Sequence, residues 1–226
     1  MSNQPLQLSD ETHWEKAAKT RVGKYLTQTE TEFISKTVNL SKPGVFIDVG
    51  AEAGRFSLLA ANNAVTVIGI DIDNYSLRRL KRKNREVMVV QADARQIPFR
   101  DAVFDGLFMI EVLDYIPSLG EALGECHRVL KPQTPFVVSF GNQSSLKAKL
   151  RRFRGKSYTH TYRKVMQCLK ETGFNVTTKL GYSWLPFGRM SESKLVSPLA
   201  SAEKLFGLRK MPSLSPWVLL RADKSP

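Results

Sequence analysis

The run Val45-Phe46-Ile47-Asp48-Val49 leads into a broken glycine loop, Gly50-Ala51-Glu52-Ala53-Gly54, and a second strand-like run then ends in an acid at Asp71. Few other patterns constrain a chain so strongly. Glycine lets the backbone turn sharply with no Cβ in the way, and a following helix presents free N–H groups and the positive end of its dipole. A loop of this shape after a buried strand is a nucleotide-binding device, with the distant acid placed to read ribose hydroxyls.

The segments around this loop alternate. Strand-like runs are expected at Val45 to Val49, Val65 to Ile70, Val87 to Val90, Phe104 to Ile110 and Pro135 to Phe140. Helices are expected at Arg55 to Ala61, Ser76 to Asn84 and Leu119 to Leu130. Short apolar strands separated by helices of about ten residues mean a parallel sheet covered on both faces. Before Pro43-Gly44 the spacing of Trp14, Ala17, Ala18, Val22, Tyr25 and Leu26 is helical, and Thr29 with Glu32 offers a capping box for a second helix through Phe33, Ile34 and Val38. After strand five come a basic helix at Ser144 to Phe153, an aromatic stretch (Tyr158, His160, Tyr162), and a helix to Thr172 stopped by Gly173. Closing strands at Asn175 to Leu185 and Ser215 to Ala222 flank a connection with its own helix around Leu195 to Phe206.

At 226 residues and 42% apolar content the chain can bury one substantial α/β core but not two full-sized ones. Residues 1–42 read as the opening helices of a cap, 43–144 as the nucleotide-binding core, and 145–226 as a basic cap with closing strands of the same domain. The first residues are polar and acidic with no apolar signal segment, and no run approaches eighteen apolar residues, so a cytoplasmic chain without a transmembrane segment is expected. Cys126 and Cys168 form no paired motif and read as reduced thiols; no metal-ligating cluster is expected.

The net charge of +13 is unevenly placed. Through Ser144 there are 17 basic and 17 acidic residues, whereas the last third has 17 basic and 4 acidic. The basic part should face something anionic: a phosphorylated substrate, a nucleic acid, or an acidic membrane surface.

Five motifs in order make the chain resemble the class I S-adenosylmethionine-dependent methyltransferases, from about Pro43 to Gly173. They are Ile47-Asp48-Val49-Gly50 to Gly54; Val67-Ile68-Gly69-Ile70-Asp71-Ile72; Gln91-Ala92-Asp93-Ala94 with Ile97-Pro98-Phe99; Phe104-Asp105 with Glu111-Val112-Leu113; and Glu125 with Arg128-Val129-Leu130-Lys131-Pro132. The resemblance implies a Rossmann-like, seven-stranded, mostly parallel sheet with helices on both faces, the last strand antiparallel, and a helical, basic cap. It implies S-adenosyl-L-methionine as cofactor. Asp48, Gly50 and Gly54 would surround its methionine part, Asp71 would hold the ribose hydroxyls, Ile72 would lie against the adenine, Asp93 and Ala94 would read its edge, and Met109 joins this cofactor set. A dehydrogenase is disfavoured, because its fingerprint needs a glycine where this loop has Glu52.

Glu52 also departs from the methyltransferase loop. Its carboxylate would either bind the cofactor's ammonium, repel its carboxylate, or turn outward to solvent or to Arg55. Gln133-Thr134 replaces the usual Gly-Gly in a turn remote from the chemistry. Methyl transfer from a sulfonium is an in-line displacement, so positioning comes first and a general base is needed only for a nucleophile that keeps its proton. No catalytic residue is assigned. Tyr115 is a candidate to face the substrate, and His160 is the best-placed candidate base, with a packing role as its alternative.

The basic helix carries Lys147, Lys149, Arg151, Arg152, Arg154 and Lys156 around Leu146, Leu150 and Phe153. It would either rest on an anionic surface or pack by its apolar side. Trp184, Phe187, Leu199, Leu205, Phe206 and Leu208 suggest an apolar chamber or membrane-facing lid, or the packing of an edge element. The expected activity is methyl transfer to a small or lipophilic acceptor; the alternatives are an RNA methyltransferase using the basic third, and a catalytically silent binding protein.

Overall fold

A computed structural model describes residues 10–152 and 160–226, the side chains of 151 and 152 excepted. Seven strands form one sheet: β1 (Gly44–Val49), β2 (Val65–Asp71), β3 (Met88–Gln91), β4 (Gly106–Met109), β5 (Pro135–Gly141), β6 (Phe174–Tyr182) and β7 (Trp217–Lys224). Their order is β3-β2-β1-β4-β5-β7-β6. The first five pair in parallel, and β7 runs antiparallel to both β5 and β6. The Rossmann-like sheet with an antiparallel last strand is as the sequence implies. Connections from β1 run outward to β2 and β3 on one side and then to β4 and β5 on the other. The crevice between β1 and β4 is thus the switch point, where ligands bind in such sheets.

The strands alternate their side chains between two apolar layers. Ile47, Leu107, Met109, Val138 and Leu220 pack in one layer with Leu123 and Cys126 of α5 (Leu119–Val129) and with Val165 and Leu169 of α7 (Tyr162–Glu171). Their neighbours Phe46, Phe108, Val137 and Leu219 pack in the other, against α2 (Arg21–Thr37), α3 (Arg55–Ala61) and Val196 of α8 (Val196–Leu205). Both faces of the sheet are covered, as parallel strands require.

The opening helices break at a different residue from the one expected. α1 (His13–Lys19) begins at a capping box in which Thr12 accepts from the Glu15 N–H and the Glu15 carboxylate accepts from the Thr12 N–H. It ends at Thr20, whose hydroxyl accepts from the Gly23 N–H at 3.0 Å and so caps α2. Gly23 is required there, because a Cβ would lie 1.9 Å from the Ala17 carbonyl oxygen. Thr29, expected as a cap, lies inside α2 and donates its hydroxyl to the Tyr25 carbonyl at 2.8 Å. The back-bond four residues upstream lets a threonine sit within a helix, so a Thr-x-x-Glu pattern alone marks no boundary.

α4 (Asn74–Lys83) covers the edge at β2 and β3. The basic helix α6 is Leu146–Arg152; Leu146 and Leu150 are largely exposed while Ala148 is buried. Phe153, Arg154, Lys156 and Tyr158 lie outside the described residues. Among the described residues no helix is long and apolar enough to cross a membrane.

Candidate functional site

A cavity of about 840 Å³ lies over the carboxyl ends of β1, β2 and β4. Its floor is the glycine loop. Gly50 (φ +73°) and Gly54 (φ +90°) adopt left-handed backbone, and a Cβ at either would come within 2.2 Å of Val112 or Leu80. The glycines hence serve both the turn and the close packing of the loop onto its neighbours. The N–H groups of Gly50 and Ala51 donate to the Ile70 carbonyl, tying the loop to β2.

Glu52 stands in the same region of backbone space at φ +48°, a conformation that costs a non-glycine residue about 1 kcal/mol. Its N–H donates to Asp71 Oδ2 at 2.9 Å. Its carboxylate folds back, with Oε2 accepting from the Ala53 N–H and Oε1 buried without a hydrogen-bond partner. Burial pushes the Glu52 carboxyl above its usual range, against the pull of Thr12 and the Ala53 N–H. The side chain lines the cavity and does not pair with Arg55, which instead meets Glu30 at 3.0 Å and Glu111 at 2.8 Å.

Asp71 projects from the end of β2, with Oδ1 accepting from the Asp73 N–H at 2.9 Å. Each carboxylate oxygen thereby keeps acceptor capacity for a ligand. Ile72 lines the same space and is 69% exposed, an apolar surface with nothing over it. Asp93 and Ala94 line it as well; Arg95 holds the Asp93 carboxyl below its usual range through a pair at 2.7 Å. Asp48 is buried beneath the loop and accepts from the Ser57 hydroxyl at 2.6 Å. Burial raises its carboxyl to about 6, the Ser57 hydrogen bond only partly opposing this.

Met109 does not share the cavity wall. Its side chain is fully buried in the core layer that faces α5, and the residues lining the space from this chain segment are Ile110, Glu111 and Val112. Alternation along β4 explains this, since Met109 and Ile110 point to opposite faces. His160 is likewise absent from the cavity. It is 1% exposed, and Nε2 lies 3.0 Å from the Leu113 carbonyl oxygen and 3.3 Å from that of Ile116. Two carbonyl partners require a proton on Nε2, so the expected candidate base is instead a donor that props the turn beneath Tyr115. Tyr115, in the 3-10 turn Leu113–Tyr115, does line the cavity and meets Trp14 edge to face at 6.3 Å between ring centres. Of the late aromatic and leucine residues expected to form a chamber, none lines this space; Phe187 packs on the core while Leu205 and Phe206 are exposed.

The opening helices, expected as a roof of the pocket, do bring α1 over it, but what anchors α1 there was not legible in the sequence. Glu11, Trp14, Glu15, Ala18 and Lys19 bring α1 over the cavity. Glu15 anchors it to α4 through Arg79 at 2.6 Å and Lys83 at 2.7 Å. Burial disfavours the Glu15 carboxylate, but the two cations win and bring its carboxyl down to about 2. The Tyr75 hydroxyl donates to the Asp10 carbonyl at 2.7 Å, a second tie between the same elements. At the other end Glu111, itself at φ +64°, receives Arg55 on Oε2 and Arg189 on Oε1. These partners are 56 and 78 residues away, so no local signal could have joined them.

The residues fit S-adenosylmethionine: a carboxylate with spare acceptors for the ribose, an uncovered apolar side chain for the adenine, and the orphaned Glu52 oxygen near the loop. Comparison with known proteins agrees. Residues 47–138 match the family described as methyltransferase domain. The chain is 36% identical over 105 residues to 24-methylenesterol C-methyltransferase 2 of Oryza sativa subsp. japonica, covering 43% of this chain and 29% of that protein. It is 26% identical over 162 residues to the methyltransferase phqN of Penicillium fellutanum, covering 64% and 50%. The chain thus spans half or less of the length of these relatives. Among solved structures, geranyl diphosphate C-methyltransferase from Streptomyces coelicolor A3(2) superposes with a TM-score of 0.67 at 16% identity, covering 96% of this chain and 86% of that one. An S-adenosylmethionine-dependent methyltransferase from Methanosarcina mazei gives a TM-score of 0.64 at 17% identity, covering 85% and 97%. These structural likenesses bear on the fold.

Proposed function

Residues 47–138 form a class I S-adenosylmethionine-dependent methyltransferase domain, and from that premise we propose that the chain transfers a methyl group to a small, lipophilic acceptor. When bound, the cofactor supplies an electrophilic methyl group on a sulfonium. In this reading Asp71 takes the ribose hydroxyls, Ile72 and Asp93 with Ala94 take the adenine, and the loop from Asp48 to Gly54 takes the methionine part. Trp14, Phe56, Ile110, Val112, Tyr115 and Ile116 wall the rest of the space and exclude water from the acceptor.

No histidine or cysteine lines the cavity among the described residues, and both Glu111 oxygens are engaged by guanidinium groups. The chain therefore works by holding and desolvating an acceptor that attacks without a histidine base. The observation that carries the reading is the apolar wall continuous with the glycine loop and Asp71 in one cavity. The sterol methyltransferases among the relatives support a lipophilic acceptor.

The basic surplus of the last third, with Leu205 and Phe206 exposed beside Lys204 and Lys210, suits a resting place on an anionic membrane. Incubating the purified protein and labelled cofactor with cell extract, then separating lipid, RNA, protein and small molecules, tests the proposal. Label in the lipid or small-molecule fraction is expected, and label confined to RNA would overturn it.

A further inference from the structure

Arg189 is a partly buried cation with donors to spare. It sits on the connection between β6 and α8, and its guanidinium lies 4.9 Å above the Trp14 ring and 5.9 Å from that of Trp217. The Thr20 hydroxyl donates to its carbonyl at 2.6 Å, which fixes the backbone beside the hinge between α1 and α2. Nη2 is spent on Glu111, whereas Nε and Nη1 have no partner among the described residues. Arg189 lines the cavity, and these two nitrogens are not among the buried unpaired atoms, so each keeps accessible surface. An arginine held so firmly by a carboxylate and an indole face is a pre-oriented cation with N–H donors unspent.

The cations along the cavity wall differ in how they are paired. Arg55 and Arg189 are matched by Glu30 and Glu111. Lys24 lines the same cavity with no ion pair or hydrogen bond from its ammonium among the described residues. Nearby Lys19 is already paired with Glu11. Trp14 adjoins Arg189 and in turn meets Tyr115, and Ile116 and Pro117 line the same cavity.

We propose that the acceptor is a lipophilic anion, its carboxylate or phosphate taken by an unspent N–H of the Arg189 guanidinium, with Lys24 on the same cavity wall, and its apolar body lying against Trp14 and Tyr115. This rests on the methyltransferase reading and narrows its substrate class. Burial lowers the Arg189 guanidinium only to about 10, so it stays charged at neutral pH. Glu111 and Trp14 act as positioning residues that aim the guanidinium.

Calorimetric titration of decanoate, decanol and decylamine into the full chain saturated with S-adenosylhomocysteine tests the proposal. Decanoate is expected to bind at least tenfold more tightly than decanol, with decylamine weakest. Arg189→Gln should erase that preference while leaving the affinities for decanol and S-adenosylhomocysteine within twofold. Arg189→Lys should restore only part of it. Should Arg189→Gln fail to fold, Lys24→Gln, at an exposed and unpaired side chain, should still narrow the decanoate preference by about threefold. Equal binding of decanoate and decanol to the wild type would overturn the proposal. So would a loss of S-adenosylhomocysteine affinity in Arg189→Gln, which would place the guanidinium on the cofactor. A wild type that binds no S-adenosylhomocysteine yet prefers decanoate would instead sink the methyltransferase reading and leave the anion site standing.

Discussion

Two acidic side chains, one beneath the glycine loop and one within it, carry a cost that the fold tolerates. Asp48 is fully buried, and its carboxyl is raised to about 6 from an ordinary value of 3.8. A raised carboxyl means that the folded chain holds its proton more firmly than the unfolded chain does. Stability at this site is greatest below pH 4, falls as pH rises toward 6, and stays reduced by about 3 kcal/mol above that. Asp48→Asn should accordingly flatten the decline between pH 4 and 6 and raise stability at pH 7, measured by urea unfolding at several pH values. Glu52 combines a positive φ with an orphaned buried oxygen, and Glu52→Gly removes both. A gain of about 1 kcal/mol in unfolding free energy is expected, less whatever the greater freedom of glycine in the unfolded chain takes back. A loss of stability in that variant would mean that the Glu52 carboxyl supports the loop.

Among the elements, α1 has the most consequence for access to the cavity. A helix of seven residues has little stability of its own. It is held by the Thr12 and Glu15 capping box, by Arg79 and Lys83 on α4, and by the stacking of Arg189 on Trp14. Glu15→Ala removes the capping partner and both ion pairs together. Amide exchange across residues 13–19 should then quicken by about tenfold or more while β1 and β4 remain protected. Unchanged exchange in α1 would show that its packing, and not the Glu15 anchor, holds it down.

The same element shows how far a sequence can be read. The strands, the loop and Asp71 were legible because periodicity, glycine and a single acid act within a few residues of one another. The break between the opening helices was misplaced at Thr29 because a Thr-x-x-Glu spacing occurs inside α2 as readily as before it. The true break, Thr20 to Gly23, depends on the close approach of Gly23 to Ala17. The Glu111, Arg55 and Arg189 cluster was invisible for a further reason: β4, α3 and the connection after β6 meet only once the sheet has formed.

At the scale of the whole molecule, the neutral first two-thirds build the cavity floor, and the basic last third supplies β6, β7 and the Arg189 connection that closes one end. Asp71 braces Glu52 and Asp73 and, in the proposed reading, offers its remaining acceptors to the ribose. Removing a carboxylate that accepts two ligand hydrogen bonds costs about 3 kcal/mol, roughly a hundredfold in affinity. The decisive measurement is calorimetric titration of S-adenosylmethionine into the wild-type chain and into Asp71→Ala, with circular dichroism confirming that both are folded. Saturable binding of one cofactor per chain and a loss of about a hundredfold or more in the variant are expected. A folded wild type that binds no cofactor, or a variant that binds it equally well, would show that Asp71 does not hold the ribose of a bound cofactor.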